Sequence, residues 1–442
     1  MTWPRRGPGT TETDRAILRL AVPALGALIA EPLYVLADTA VVGHIGTPQL
    51  AGLALASQVL LIIHAVFTFL AYGTTASVSR LLGAGQDRRA AHQAVQGLWL
   101  AVGIGVALAL TVWLTMEPLL RLLGGRGETL ANAETYLEIS LAGLPAMLLM
   151  LAGVGYLRGT QDTVRPLIVA LVTAALNLVI ELVLVFGFDQ GIGASALSTV
   201  IVQWIGAAMY VRWTAAAVKR HGVALLPDTS VIAGLARAGV DLFIRTASLR
   251  GSFVVATAVV ARIGTDDLAA HQITFEIFSF IALALDAVAI AGQALMGSLL
   301  GAGDTARARA VGVRIAWWGV WTGTLAGLAV LASRPVLPGV FTDDAGVVAL
   351  TAFLFWFLAG LQPVNGLAFA LDGVLIGAGD LRYLAWAMLA SALAFVPLAI
   401  GVAVADLGVG WLWGALCVFM VVRMVTVVAR FRGDAWMVTG AA

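Results

Sequence analysis

Glu31 and Asp38 lie seven residues apart in the apolar run Glu31-Pro-Leu-Tyr-Val-Leu-Ala-Asp38. Seven residues are two helical turns, so both carboxylates fall on one face of a helix. Acids at membrane depth are costly when ionised and usually line a polar path. Pro32, between them, removes a backbone hydrogen bond and is a candidate hinge. Tyr34 shares the face and can donate a hydrogen bond. Asn177 and Glu181, one turn apart in a later run, face the same way, and Thr199 follows in the next. Asp38, Asn177, Glu181 and Thr199 are therefore expected to form one cluster of two carboxylates, an amide and a hydroxyl. Such a set can hold a shared proton, or a small cation such as sodium through oxygen ligands. Asn177 and Thr199 could instead only satisfy each other between helices, and Glu31 reads equally well as a helix-packing carboxylate.

The second half of the chain carries a different set: Arg245 and Arg250 in one run, Glu276 and Asp286 in the next, and Asp372 further on. Asp241, one turn before Arg245, is its expected partner. Glu276, Asp286 or Asp372 is expected to pair with Arg250. This reads as structural charge pairing, with a substrate or coupling role for Arg250 and Asp372 as the sharper alternative. Of the histidines only His64, mid-run, could titrate usefully. No nucleophile–base pair stands out, so an enzyme is not expected. The single cysteine, Cys417, excludes an internal disulfide, and no metal-ligand or cofactor spacing occurs.

The elements that must position these groups are apolar. The chain is 442 residues long, with 60% hydrophobic and 12% charged residues and a mean hydropathy of +0.96. Soluble proteins carry about 25% charged residues, so the chain reads as an all-α polytopic membrane protein whose partner is the bilayer rather than nucleic acid. Runs long enough to cross about 30 Å of hydrocarbon predict twelve helices: 15–41, 51–82, 91–119, 131–156, 165–187, 193–216, 233–261, 268–300, 308–333, 345–374, 382–405 and 409–431. With the N-terminus inside, 19 Lys and Arg fall in cytoplasmic segments and four in outer ones. That bias places both termini in the cytoplasm.

Four stretches recur at one offset of 218 residues. Ile45-Gly-Thr-x-x-Leu-Ala51 returns at Ile263, Leu81-Leu-Gly-Ala-Gly85 at Leu299, Pro145 at Pro363, and Leu157-x-Gly-x-x-Asp162 at Leu375. The chain therefore divides into two six-helix lobes related as a parallel pseudo-two-fold repeat: residues 1–216, a linker 217–232, and residues 233–442. Two such lobes suit alternating access. The acids are not duplicated, since Asp38 maps onto Ala256 and Glu181 onto Ala399.

These motifs resemble the MATE (multidrug and toxic compound extrusion) family of the MOP superfamily, and its DinF-like branch in particular. The resemblance spans roughly residues 15 to 430. It rests on Glu31-Pro through Asp38-Thr to Val42-Gly-His-Ile-Gly46, on Leu157-Arg-Gly159, on Asn177-x-x-x-Glu181, and on Asp372-Gly-Val-Leu-Ile-Gly377-Ala-Gly-Asp380. It implies cation-driven antiport of small organic compounds, often cationic or amphipathic, by a monomer in the cell membrane. It places the coupling site at Asp38, Asn177, Glu181 and Thr199. Glu181 stands where many relatives have aspartate, which leaves the choice of proton or sodium open. Arginines in place of carboxylates, with Asn365 at the helix 10 position, argue against a NorM-type site in the second lobe. The alternative is a lipid-linked precursor flippase of the same superfamily, which calls for a strongly basic cavity.

Overall fold

A computed structural model describes residues 8–187 and 191–440. Among them, fifteen α-helices and no strand are found. They run α1 (Pro8–Gly43), α2 (Thr47–Phe67), α3 (Phe69–Gly83), α4 (Asp87–Leu122), α5 (Gly127–Leu141), α6 (Leu144–Gly159), α7 (Val164–Leu182), α8 (Gly191–His221), α9 (Thr229–Ile263), α10 (Thr265–Gly301), α11 (Thr305–Ser333), α12 (Leu337–Phe341), α13 (Ala345–Gly377), α14 (Leu381–Val404) and α15 (Val409–Arg432). A single π turn, Val183–Gly187, extends α7. Eleven segments are long and apolar enough to cross a membrane, and a twelfth is made by α5 and α6, bent by 52°. The bend follows from sequence. Gly143 and Pro145 interrupt the run, and α4 presents Gly105, where a Cβ would lie 2.5 Å from the Pro145 Cα. The predicted second span is likewise two helices, α2 and α3, joined at Thr68.

The repeated motifs are helix terminators. In Leu81-Leu-Gly-Ala-Gly85, the Gln86 amide returns to the Leu81 carbonyl at 2.8 Å while Gly85 adopts φ 69°. Its copy does the same, with Asp304 to Leu299 at 3.0 Å and Gly303 at φ 78°. This closing bond with a left-handed residue satisfies carbonyls that a helix end leaves open. The second repeated motif closes in the same way, Asp162 to Leu157 and Asp380 to Leu375. Its left-handed residue is Gln161 in the first copy and Gly379 in the second. Aspartates then start several helices: Asp162 accepts from the Val164 and Arg165 amides, Asp304 from Arg307, and Asp344 from Gly346 and Val347.

The helices gather into two compact units. One is Gly26–Gly239; the other joins the segment ending at Leu25 to Val240–Gly440. These limits differ from lobes of 1–216 and 233–442. Helix α8 continues to His221, the connector is only residues 222–228, and each unit contains the leading segment of the other's first helix. In the second unit α13 is the central helix. Gly373 and Gly377 let it approach α10 until a Cβ would meet the Ala289 and Gln293 carbonyls at 2.3 and 2.4 Å. Gly366 does the same against α11. After α15 the chain folds back, and Arg309 lies over the Phe431 and Trp436 rings, both at 5.2 Å.

Candidate functional site

Helix α1 carries Asp38 into the first unit, α7 carries Asn177 and Glu181, and α8 carries Thr199. The four predicted residues converge. Asn177 donates from Nδ2 to the Ser198 and Thr199 hydroxyls at 3.2 and 3.3 Å. The Tyr34 hydroxyl bonds Thr199 Oγ1 at 2.8 Å. Ser195, one turn before Thr199, donates to Asp38 Oδ1 at 2.6 Å, and Ser198 donates to the Ser195 carbonyl at 2.8 Å. Glu181 lies against the Asp38 carboxylate and Ser195. Glu181 is 0% exposed and Asp38 5%. Neither Glu181 carboxylate oxygen accepts a hydrogen bond from the protein.

Every partner in this cluster is neutral or acidic. Two buried carboxylates side by side, with no basic residue paired to either among the described residues, cannot both be ionised in a dry interior unless a proton or cation joins them. The oxygens of Asp38, Glu181, Ser195, Thr199 and the Asn177 amide suit a small hard cation as well as a proton. Ser195 and Ser198 were missing from the predicted set. They sit at helical spacing with Thr199, but serines in a small-residue run carry no distinctive signal.

Glu31 does not join them. It is exposed and pairs instead with His64 of α2, Oε1 to Nδ1 at 2.8 Å. The mid-run histidine that sequence set aside is thus its partner. Helix α1 runs without a break through Pro32.

The second unit corrects the expected pairings. Arg245 meets Asp372, not Asp241: Nη2 lies 2.5 Å from Asp372 Oδ2. The second guanidinium on that oxygen belongs to Arg423 of α15, also at 2.5 Å, and its Cζ sits 4.5 Å over the Phe369 ring. Arg250 is exposed and forms no ion pair among the described residues; Glu276, one of its expected partners, accepts from Gln272 at 2.9 Å. The reason is helical phase. Arg245 shares the buried face of α9 with Leu242, Ser252 and Ala256, while Arg250 falls outside it. Arg423 was the missed residue, although a buried arginine in mid-run calls for an acid or carbonyls to receive it. Asn365 is fully buried, and no hydrogen bond reaches its side-chain amide. Ala256 and Ala399, which the repeat sets opposite Asp38 and Glu181, lie in the apolar core.

Comparison with known proteins gives a consistent result. The MatE family pattern matches residues 23–183 and 242–400, one match in each half. Protein DETOXIFICATION 44, chloroplastic, of Arabidopsis thaliana is 31% identical over 436 residues, covering 95% of this chain and 82% of its own. DNA damage-inducible protein F of Escherichia coli (strain K12) is 28% identical, covering 96% and 93%. A probable multidrug resistance protein NorM of Xanthomonas axonopodis is 28% identical, covering 86% and 84%. Among solved structures, a MATE protein in its bent conformation superposes with a TM-score of 0.87 at 21% identity, covering 97% of both chains. The straight conformation gives 0.84 at 20% identity, over 97% of this chain and 98% of the other.

Proposed function

Since the chain belongs to the MatE family, a family of multi-pass membrane transporters rather than enzymes, we propose that it exports small organic compounds by alternating access, driven by inward proton movement through Asp38 and Glu181. One observation carries the coupling: Glu181 is fully buried beside Asp38, and no basic residue pairs with either among the described residues. A site with two acids and no base changes its net charge when a proton arrives. The Ser195 hydroxyl orients Asp38 without neutralising it, while Ser198, Thr199 and Tyr34 hold Asn177 beside the pair.

In the deprotonated state the charge at Asp38 and Glu181 favours a hydrated cavity in the first unit, where a cationic or amphipathic compound binds. A proton from outside removes that charge. Helix α1 then deforms at Pro32, the cavity contracts, and the compound leaves. That the solved relatives of this fold carry the descriptions bent and straight supports such a two-state element. Both termini lie in the cytoplasm in this reading, as the arginine bias requires. The flippase alternative has lost ground, because Arg245 and Arg423 are buried on Asp372 and leave no basic cavity of their own making.

The test is dye efflux from liposomes holding the purified protein, under proton and sodium gradients imposed separately, for the wild type and Asp38→Asn. Proton-driven efflux that Asp38→Asn lowers to background, with the variant still folded, is the expected result. Efflux that follows sodium alone refutes the proton assignment. Undiminished efflux by the variant refutes the site.

A further inference from the structure

The 218-residue repeat matches two clasps that hold the chain where it enters each unit. In α4, Gln96 is fully buried and uses both ends of its amide on the connector: Nε2 donates to the Leu226 carbonyl at 3.1 Å, and Oε1 accepts from the Asp228 amide at 2.8 Å. Trp99, one turn on, donates to the Leu225 carbonyl at 2.8 Å. In α11 the residues at the same register are Arg314 and Trp317. Arg314 grips Asp14 of α1 with two bonds, Nε to Oδ1 at 2.5 Å and Nη2 to Oδ2 at 2.6 Å. Trp318 donates to the same Oδ1 at 2.9 Å, and Trp317 lies 4.3 Å beneath the guanidinium.

The held segments are crossed. Residues 225–228 lead into α9, whose body from Val240 belongs to the other unit. Asp14 leads α1, whose body from Gly26 belongs to the other unit. Each clasp therefore grips a helix that its own unit does not keep. The two differ in strength. The α4 clasp reads backbone through Gln96 and Trp99, with only the His92–Asp228 contact at 3.5 Å beside it, whereas the α11 clasp is a bidentate ion pair, which fixes direction as well as distance.

We propose that Asp14, Arg314 and Trp318 are positioning residues for transport: they hold the leading part of α1 fixed to the second unit, so that a change at Asp38 deforms only the part beyond Gly26. Gly26 itself marks the limit. A Cβ there would lie 2.9 Å from Leu167 of α7, so the helix is already packed in the first unit at that residue. A helix anchored at one end converts a local change of charge into directed displacement of the other end; one free at both ends would shift as a rod. This proposal rests on the transport reading above, but its test does not.

Single cysteines are placed in a Cys417→Ser background at the exposed positions Leu18 and Leu36, either side of Gly26. Their labelling rates by a thiol reagent, each divided by the rate of the same cysteine in the denatured chain at that pH to remove the thiolate fraction, are compared in acid and in alkaline medium, in the intact protein and with Asp14→Asn or Arg314→Gln. In the intact protein Leu36→Cys should respond to pH severalfold and Leu18→Cys should not. Either clasp variant should spread the response to Leu18→Cys, and the exchanged pair Asp14→Arg with Arg314→Asp should confine it again. Equal responses at both positions in the intact protein, no response at either, or clasp variants that change nothing would each overturn the proposal. Wild-type protein that shows the split response yet exports no dye refutes the transport reading alone.

Discussion

At the Asp38–Glu181 cluster the first unit sets two buried acids among neutral partners, and at Asp372 the second unit sets one buried acid between two bases. Asp38 and Glu181 meet among hydroxyls and an amide, so their charge must be resolved by something that enters from outside. Asp372 is held at 2.5 Å by both Arg245 and Arg423, so its charge is already answered. Both sites sit in spanning helices at comparable burial. On the proposed function, the difference means that buried charge alone does not mark a working site. The composition of its neighbours does, because a paired ion resists protonation and an unpaired one invites it.

That contrast can be broken from either side. The largest effect on the fold is expected for Asp372→Ala, which strands two buried guanidiniums. A loss of about 3–5 kcal/mol follows, read as a failure to accumulate or a lowered melting temperature in detergent. Replacing Arg245, Asp372 and Arg423 together by apolar residues of similar size should recover most of it. Glu181→Gln should do the reverse, keeping the melting temperature while coupled efflux falls about a hundredfold, equivalent to about 2.7 kcal/mol. Asn177→Ala removes two long neutral hydrogen bonds and should cost about 1 kcal/mol in stability, with weakened but measurable efflux. Arg250→Gln, exposed and without an ion pair, should change stability by no more than about 0.5 kcal/mol.

The smallest expected effect lies outside the spans, at Asp228. The Ser230 hydroxyl and then the Val231 amide hold its carboxyl below the usual carboxylate range. A depressed acid contributes its stability above the unfolded value of about 3.9 and loses it as pH falls through the folded value. In a His92→Gln background, which removes the imidazole 3.5 Å away, the difference in melting temperature made by Asp228→Asn should therefore stay constant from neutral pH down to about pH 5, and close only in stronger acid.

Much of this was legible in the sequence because it depends on period and offset. Helix positions follow from apolar run length, and the duplication follows from one register shared by four motifs. Asp38, Asn177 and Glu181 follow from the rarity of polar groups in such runs. What escaped depends on helical phase and on partners distant in the chain. Arg245 and Arg250 look alike in a string of letters, yet five residues of rotation put one inside and the other outside. Ser195 is indistinguishable from any small residue at a helix contact until Asp38 is seen 2.6 Å away. The break at Thr68 and the exchange of leading segments arise from packing between helices, for which a single strand of sequence has no signature.

The duplicated turn at Gln161 and Gly379 has a use of its own. The two copies close with the same hydrogen bond, and they differ in whether a side chain must tolerate the left-handed backbone. The protein thus contains its own reference experiment. Gln161→Gly should relieve about 1 kcal/mol of local strain, partly offset by the extra freedom glycine gains in the unfolded chain, and Gly379→Gln should impose it. A designer who wants a sturdier transporter for structural work, with the acids left alone, could begin at this turn.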